Sequence, residues 1–424
     1  MLCSGMFNAG RTQAQVEAVE LKGIYPQYDA IVPTLAAWVY PATRTVSVAF
    51  DDKLPPRRAV WQAGFGCTNM PIGSVAPPIA SAYLGDADEA LPTDAAPWPM
   101  GDADALASGT PPPTLVDAVG KAFDRATYGK DSETVGVLVI KDGRILAERY
   151  ADGFGPHISN RTWSAGKSIA GTLAGIAVGQ GLVQVDRPAN IPEWGEAGAD
   201  PRRAITLDHL LRMASGLHSD TAGNRTDAIY FGGTSVTGQA TGWPIEALPG
   251  TRFRYANNDT LLAMRAIRAA LSDDRRYEAF PRTQLFDRIG MTRSFAERDW
   301  QGNFIMSSQV WSTARDLGRL GLLWLNDGVW QGERILPEGW LGYMTRTSGP
   351  QPAQGPGYGA TLWTFGPDQG LPAGTYSAQG NRGQYVMVLP EAGIVIVRRG
   401  EDPDPARFDI ARFGADVLAA ATAE

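Results

Sequence analysis

The chain has 424 residues, 44% of them hydrophobic and 20% charged, with a formal net charge of −7. That length accommodates two domains, or one large domain with an extension, and the composition is that of an ordinary globular protein. An acidic balance without any basic run argues against a nucleic-acid partner, and no apolar stretch reaches the roughly 18 residues that a membrane span needs.

The opening residues, MLCSGMFNAGRTQ, lack the charged and apolar regions of a signal peptide. The chain is therefore read as cytoplasmic, or as periplasmic or secreted if a signal was processed or omitted. Cys3 and Cys67 are its only cysteines. Two unconnected thiols and one disulfide stapling the N-terminal part stand equally open, and a disulfide would favour export. Two cysteines cannot build a structural zinc site without histidine help. His157, His209 and His218 show no ligand spacing relative to them, so no metal is expected, and with no Walker A or G-x-G-x-x-G motif no organic cofactor is expected either.

Residues 1 to about 90 are punctuated by Pro and Gly and carry short β-like runs, TRTVSVAF and RAVWQAGFGC. The stretch 91–114, dense in Pro, Ala and Asp, reads as a linker or a surface-wrapping segment. The boundary is placed there: 1–112 as extension and Pro-rich linker, 113–424 as the main domain. TLVDAVGKAFDRAT (114–127) has apolar residues at helical spacing. VGVLVIKDGRILAERY gives two apolar runs around Asp142-Gly143, a hairpin signal. Helical patterns follow at 164–180, 206–214, 259–271 and 312–326. GQYVMVLPEAGIVIVRRG is a second strand-turn-strand, and the last helix is expected over 406–422. Strands at both ends of a region with helices between them predict a mixed α+β class, with an antiparallel sheet and a helical insertion.

The stretch TWSAGKSIAG (162–171) carries the chemistry. Lys167 is the only charged residue between Arg161 and Asp186, and the only one of six lysines with a serine three residues before it. In a helix that spacing puts Ser164 and Lys167 on one face. Burial lowers a lysine pKa towards neutrality and makes its amine a usable base for a serine hydroxyl. The helix N-terminus also offers free backbone N–H groups for an oxyanion. The plainer reading is a lysine snorkelling from a surface helix. No G-x-S-x-G, H-E-x-x-H, Walker A or G-x-G-x-x-G motif competes. LPGTRFRYANNDTLLA contributes Tyr255 and Asn257, the only Tyr-x-Asn among thirteen tyrosines. A tyrosine near a cation can approach the phenolate and relay protons, and the asparagine can hold the lysine and a substrate carbonyl. Without the Ser/Lys pair, a core tyrosine and a turn asparagine would be the better reading.

These stretches, together with ITLDHLLRMASGL, SSQVWSTARDLGRLGLLWLNDGVWQGERILPEGW and GNRGQYVMVLPEAGIVIV, resemble the serine β-lactamase and penicillin-binding-protein-like hydrolases from about residue 134 onward. Class C β-lactamase-like esterases and 6-aminohexanoate-dimer hydrolases are the branch they are most similar to. The resemblance implies a β-lactamase-like antiparallel sheet flanked by helices, an all-helical subdomain and an N-terminal extension. It implies acyl transfer through an ester on Ser164, with proton traffic shared by Lys167 and Tyr255 and with Asn257 orienting lysine and substrate. It aligns Ala378-Gln379-Gly380 with the family's third motif, which makes the backbone N–H of Asn381 the second oxyanion donor after that of Ser164. No lysine follows Lys167, so the usual third-motif cation is missing. That argues against efficient β-lactam hydrolysis and towards a small-molecule ester or amide as substrate. A peptide or ω-amino-oligoamide is the alternative, and a β-lactam-acylated sensor or an inactive scaffold is less favoured. Arg382 is read either as a substitute anchor or as a surface arginine. His209 is read as packing or capping, and Tyr230 and the tryptophans as cleft lining without a catalytic role. Residues 1–112 either shape the pocket rim or mediate self-association as a homodimer.

Overall fold

The structure, a computed structural model, describes residues 1–78, 95–108, 110–195, 200–219, 227–230 and 233–422. The N-terminal part opens with helices α1 (Leu2–Phe7) and α2 (Gln13–Ala18). An antiparallel four-stranded sheet follows, β1 (Ala37–Tyr40), β2 (Thr45–Val48), β3 (Arg57–Gln62) and β4 (Gly66–Met70), in sequence order. Its small core holds Leu2, Val16, Val46 and the Cys3–Cys67 disulfide, which ties α1 to β4. The disulfide settles the alternative left open between thiols and a staple. Glu297 fastens this unit to the rest of the chain, accepting hydrogen bonds from the backbone N–H of Cys67 (3.0 Å) and from Asn8 Nδ2 (3.0 Å).

The main sheet is antiparallel throughout and begins with β5 (Thr134–Lys141) and β6 (Arg144–Tyr150). These are joined across Asp142 (φ 50°) and Gly143 (φ 79°), the two left-handed residues that a tight hairpin turn demands. The C-terminal part adds β7 (Gly357–Tyr358), β8 (Trp363–Phe365), β9 (Thr375–Gly380), β10 (Gln384–Leu389) and β11 (Ile394–Gly400). The spatial order is β7-β8-β9-β10-β11-β5-β6. Side chains alternate across a strand. Val137, Val139, Ile394 and Ile396 therefore face one apolar layer, while Leu138, Ile140, Val395 and Val397 face another. Both faces are covered, which is why these strands read as unbroken apolar runs.

The first layer is closed by α3 (Pro113–Lys121) and the C-terminal helix Ile410–Thr422. Helix α3 stops six residues short of the expected 114–127, because the Asp124 carboxylate accepts from the N–H groups of Ala126 and Thr127 (both 2.8 Å) and forms a turn instead. The last helix starts at Ile410 rather than 406, where Asp409 accepts from the N–H of Arg412 (3.0 Å). The other layer contains α4 (Gly166–Gly179), α5 (Asn257–Leu271) and α6 (Ala314–Leu325). Helix α4 is buried on every side from Gly166 to Ala177, as expected of a helix that is apolar all round.

Of the stretch 91–114, residues 91–94 and 109 lie outside the described residues. Residues 95–108 wrap the core: Ala107 N–H donates to Ile145 O (2.8 Å) along edge strand β6, and Asp102 pairs with Arg319 (2.6 Å). Among the described residues no helix is long and apolar enough to cross a membrane.

Candidate active site

Ser164 lies in the single 3₁₀ turn Trp163–Ala165 that feeds α4, so it precedes the helix and Lys167 occupies its first turn. Trp163 has φ 50°, a left-handed conformation that a bulky residue adopts only under constraint. The constraint is visible on both sides. Thr162 N–H donates to Val310 O (2.7 Å), and the Arg161 guanidinium stacks over the Trp163 ring at 3.6 Å. The strained entry turns the half-exposed Ser164 into a cavity of about 470 Å³.

Lys167 is 1% exposed. Its Nζ donates to Ser164 Oγ (3.1 Å), Asn257 Oδ1 (2.6 Å) and the backbone carbonyl of Ser307 (2.9 Å), and lies 4.9 Å from the Tyr255 ring centroid. All three acceptors are neutral. Burial lowers its pKa from 10.5 to about 7, and the Asp259 carboxylate acts in the opposite sense. Asp259 is buried in the first turn of α5 and accepts from Ser215 Oγ (2.7 Å); burial raises its own pKa to about 7.

Tyr255 hydrogen-bonds Ser164 and Trp363, and burial pushes its pKa up to about 12. The expected drift towards phenolate is therefore corrected: desolvation outweighs the two hydrogen bonds that would favour the anion, and the group stays a phenol. Asn257 opens α5, so the chain turning from Tyr255 into the helix delivers both side chains to Lys167.

Gly380 ends β9 against the serine turn. A Cβ there would stand 2.2 Å from Thr162 O and 3.1 Å from Ala165 N, so only glycine permits this approach. Asn381 follows it and lines the same cavity as Ser164. Arg382 matches neither expectation, as substrate anchor or surface arginine. It is 4% exposed and pairs with Glu401 (2.8 Å). Its guanidinium also donates to the carbonyls of Glu20 (3.2 Å) and Lys22 (2.8 Å), so it clamps the N-terminal part. The reason is local: Arg382 has φ 57° in the turn after β9, and its side chain leaves the sheet towards residues 19–22.

His209 caps the helix Leu207–Leu211, accepting at Nδ1 from Thr206 N–H (3.2 Å). The Tyr230 side chain lies outside the described residues. Trp163 and Trp363 line the cavity. Among the described residues no group of three His, Cys, Asp or Glu side chains is placed to hold a metal ion. Sequence reasoning missed Ser307, which acts through a carbonyl that any residue carries, and Asp259, whose electrostatic influence on Lys167 arises from the packing of α4 against α5. Asp259 sits two residues after Asn257 in a helix start, and that spacing was the one available signal.

The β-lactamase family model matches residues 121–421. A 6-aminohexanoate-dimer hydrolase of Paenarthrobacter ureafaciens is 26% identical over 311 residues, 63% of this chain and 72% of that relative. A Bacillus anthracis structure with a provisional assignment to the same activity aligns with a TM-score of 0.58 at 20% identity, over 74% of this chain and 87% of that one. A family VIII carboxylesterase aligns at 0.57 and 15% identity, over 74% and 98%. At such identities the structural likeness speaks for the fold alone. The antiparallel sheet between helical layers and the family match over most of the chain agree: the chain belongs to the β-lactamase family, a hydrolase fold.

Proposed function

We propose that this protein is a serine hydrolase that cleaves carboxylic esters or amides through an acyl-enzyme on Ser164, with residues 113–424 as its catalytic domain. The observation that carries the reading is the 3.1 Å contact between Ser164 Oγ and a buried Lys167 whose pKa lies near neutrality. The Lys167 amine takes the hydroxyl proton as Oγ bonds to the carbonyl carbon. The resulting oxyanion is received by the backbone N–H groups of Ser164 and Asn381. When the intermediate collapses, Tyr255 gives its proton to the departing alcohol or amine and is reprotonated from the Lys167 ammonium. Water then attacks the ester and loses a proton to Lys167. As this second intermediate collapses, the Ser164 Oγ–carbon bond breaks, Oγ takes the proton back from the Lys167 ammonium, and the carboxylic acid is released. Asn257 holds the lysine and the substrate carbonyl. The cysteine pair supports an oxidising compartment.

Turnover of p-nitrophenyl butyrate by the wild type, with at least a thousandfold loss in Ser164→Ala, is the expected result; full activity in the variant ends the proposal. An ω-amino-oligoamide is the second reading, favoured by the similarity to the Paenarthrobacter hydrolase. Turnover of a 6-aminohexanoate dimer in preference to simple esters would select it.

A further inference from the structure

The cavity in front of Ser164 is not built by the family-matched region alone. Leu21, Ile24, Tyr25, Tyr28 and Val32 line it, all upstream of the matched residues 121–421. They belong to a strap that crosses the cleft and is held at several points. The Arg382 guanidinium donates to the carbonyls of Val19, Glu20 and Lys22. Asp404 N–H donates to Gly23 O (2.9 Å), and Gly23 N–H donates to Asp29 Oδ1 (2.9 Å). Gly23 (φ 69°) is pressed against Pro403, where a Cβ would come within 2.8 Å. Arg11 forms a buried pair with Glu20, the residue immediately before the strap. Arg382 directly follows Asn381, so a single turn carries both the strap's main anchor and a residue beside the serine.

The chemistry of the lining is one-sided. Trp163, Trp363 and Tyr385 continue the apolar surface on the core side. Among the described residues no side chain lining the cavity carries a carboxylate, and the three arginines there are engaged. Arg382 pairs with Glu401, Arg407 with Asp404 (3.0 Å), and Arg161 is buried over Trp163 with its Nε donating to Ser308 O (3.0 Å). Besides Ser164 and the tyrosine hydroxyls, the polar side chains Asn257, Ser308, Gln379 and Asn381 line the cavity, and they belong to segments that also carry or contact the Ser/Lys site.

We propose that the strap Leu21–Val32 is the specificity wall of this active site, selecting substrates that present an uncharged apolar chain next to Ser164, with Arg382 positioning the wall. For a hydrolysed substrate the inference rests on the serine-hydrolase reading; for binding it does not. The test uses two arms. In the first, kcat/KM is measured for p-nitrophenyl acetate through octanoate, and for methyl through octyl butyrate, in the wild type, Tyr28→Ala, Ile24→Ala and Tyr28→Phe. Octanoate or octyl butyrate is expected to lose about tenfold in the alanine variants and acetate less than twofold, with Tyr28→Phe close to the wild type. In the second arm, Ser164→Ala with and without Tyr28→Ala is titrated with octanamide and acetamide by tryptophan fluorescence. Octanamide is expected to bind more tightly, by a margin that Tyr28→Ala reduces about tenfold.

That binding result with no turnover of the esters or of a 6-aminohexanoate dimer would sink the hydrolase reading and leave the wall standing. Turnover with a chain-length preference that is absent, or unchanged in both alanine variants, would overturn the wall. Tyr28 is only half-buried, so its variants are read even if Ile24→Ala fails to fold.

Discussion

The titration of Lys167 offers the sharpest quantitative test. Its pKa of about 7, against 10.5 for an ordinary lysine, is produced by burial among neutral oxygen acceptors. If the neutral amine is the base, kcat/KM must rise with pH and level off above the lysine pKa, because the ammonium cannot accept a proton. About 1% of the enzyme is competent two pH units below that value, so acylation should fall roughly a hundredfold from pH 9 to pH 5. Asp259 gives this prediction a second edge. Its carboxylate favours the ammonium, so Asp259→Asn removes that attraction and moves the rising limb to lower pH. Stopped-flow release of p-nitrophenol, with substrate well below KM, reads both curves. A rate flat down to pH 5, a limb above pH 10, or an upward shift in Asp259→Asn would each refute the reasoning. The same shift bears on stability. The folded pKa lies below the unfolded one, so the unfolded chain holds the extra proton between about pH 7 and 10.5. Lys167 therefore costs stability in full below pH 7 and less as pH rises through that window.

Gly380→Ala places a methyl 2.2 Å from Thr162 O; backbone must move, and kcat/KM is expected to fall at least a hundredfold while circular dichroism stays native. Cys3→Ser with Cys67→Ser opens a link across 64 residues. The chain-entropy relation puts its contribution at roughly 4 kcal/mol, so the denaturation midpoint of the N-terminal unit should drop; an unchanged midpoint contradicts the stapling role. Arg382→Met leaves Glu401 buried without its partner and frees the carbonyls of residues 19–22. A loss of about 3–5 kcal/mol is expected, with faster hydrogen exchange in residues 19–32; exchange confined to other segments argues against the clamp.

Much of the catalytic core was legible because its signals are local. The Asp142-Gly143 turn, the apolar strands of the main sheet and the apolar α4 each follow from periodicity and turn chemistry within one segment. Ser164 and Lys167 were legible for the same reason: a lone ammonium in an apolar helix is anomalous over a ten-residue window. The meeting of Lys167 with Asn257, ninety residues away, was reached through motif resemblance and is formed by tertiary packing. What was hidden depends on contacts between distant segments. Arg382 sits in a polar turn that looks solvent-facing, and only the docking of residues 19–22 turns it into a buried clamp. The protonation of Tyr255 was not legible because its burial, invisible in a Tyr-x-Asn pattern, outweighs the hydrogen bonds from Ser164 and Trp363 that would favour the phenolate. The strap's place at the cleft was left open for a similar reason, since nothing in LKGIYPQYDAIV says which surface it covers.

The central claim is a covalent bond to one oxygen. Intact-mass analysis after rapid acid quench of the protein with p-nitrophenyl butyrate, followed by peptide mapping, tests it directly. The account predicts one butyryl group on the peptide containing Ser164 and none in Ser164→Ala, with the adduct accumulating in variants slowed in deacylation. Turnover with no adduct under any quench condition, or an adduct mapped to another residue, would contradict it.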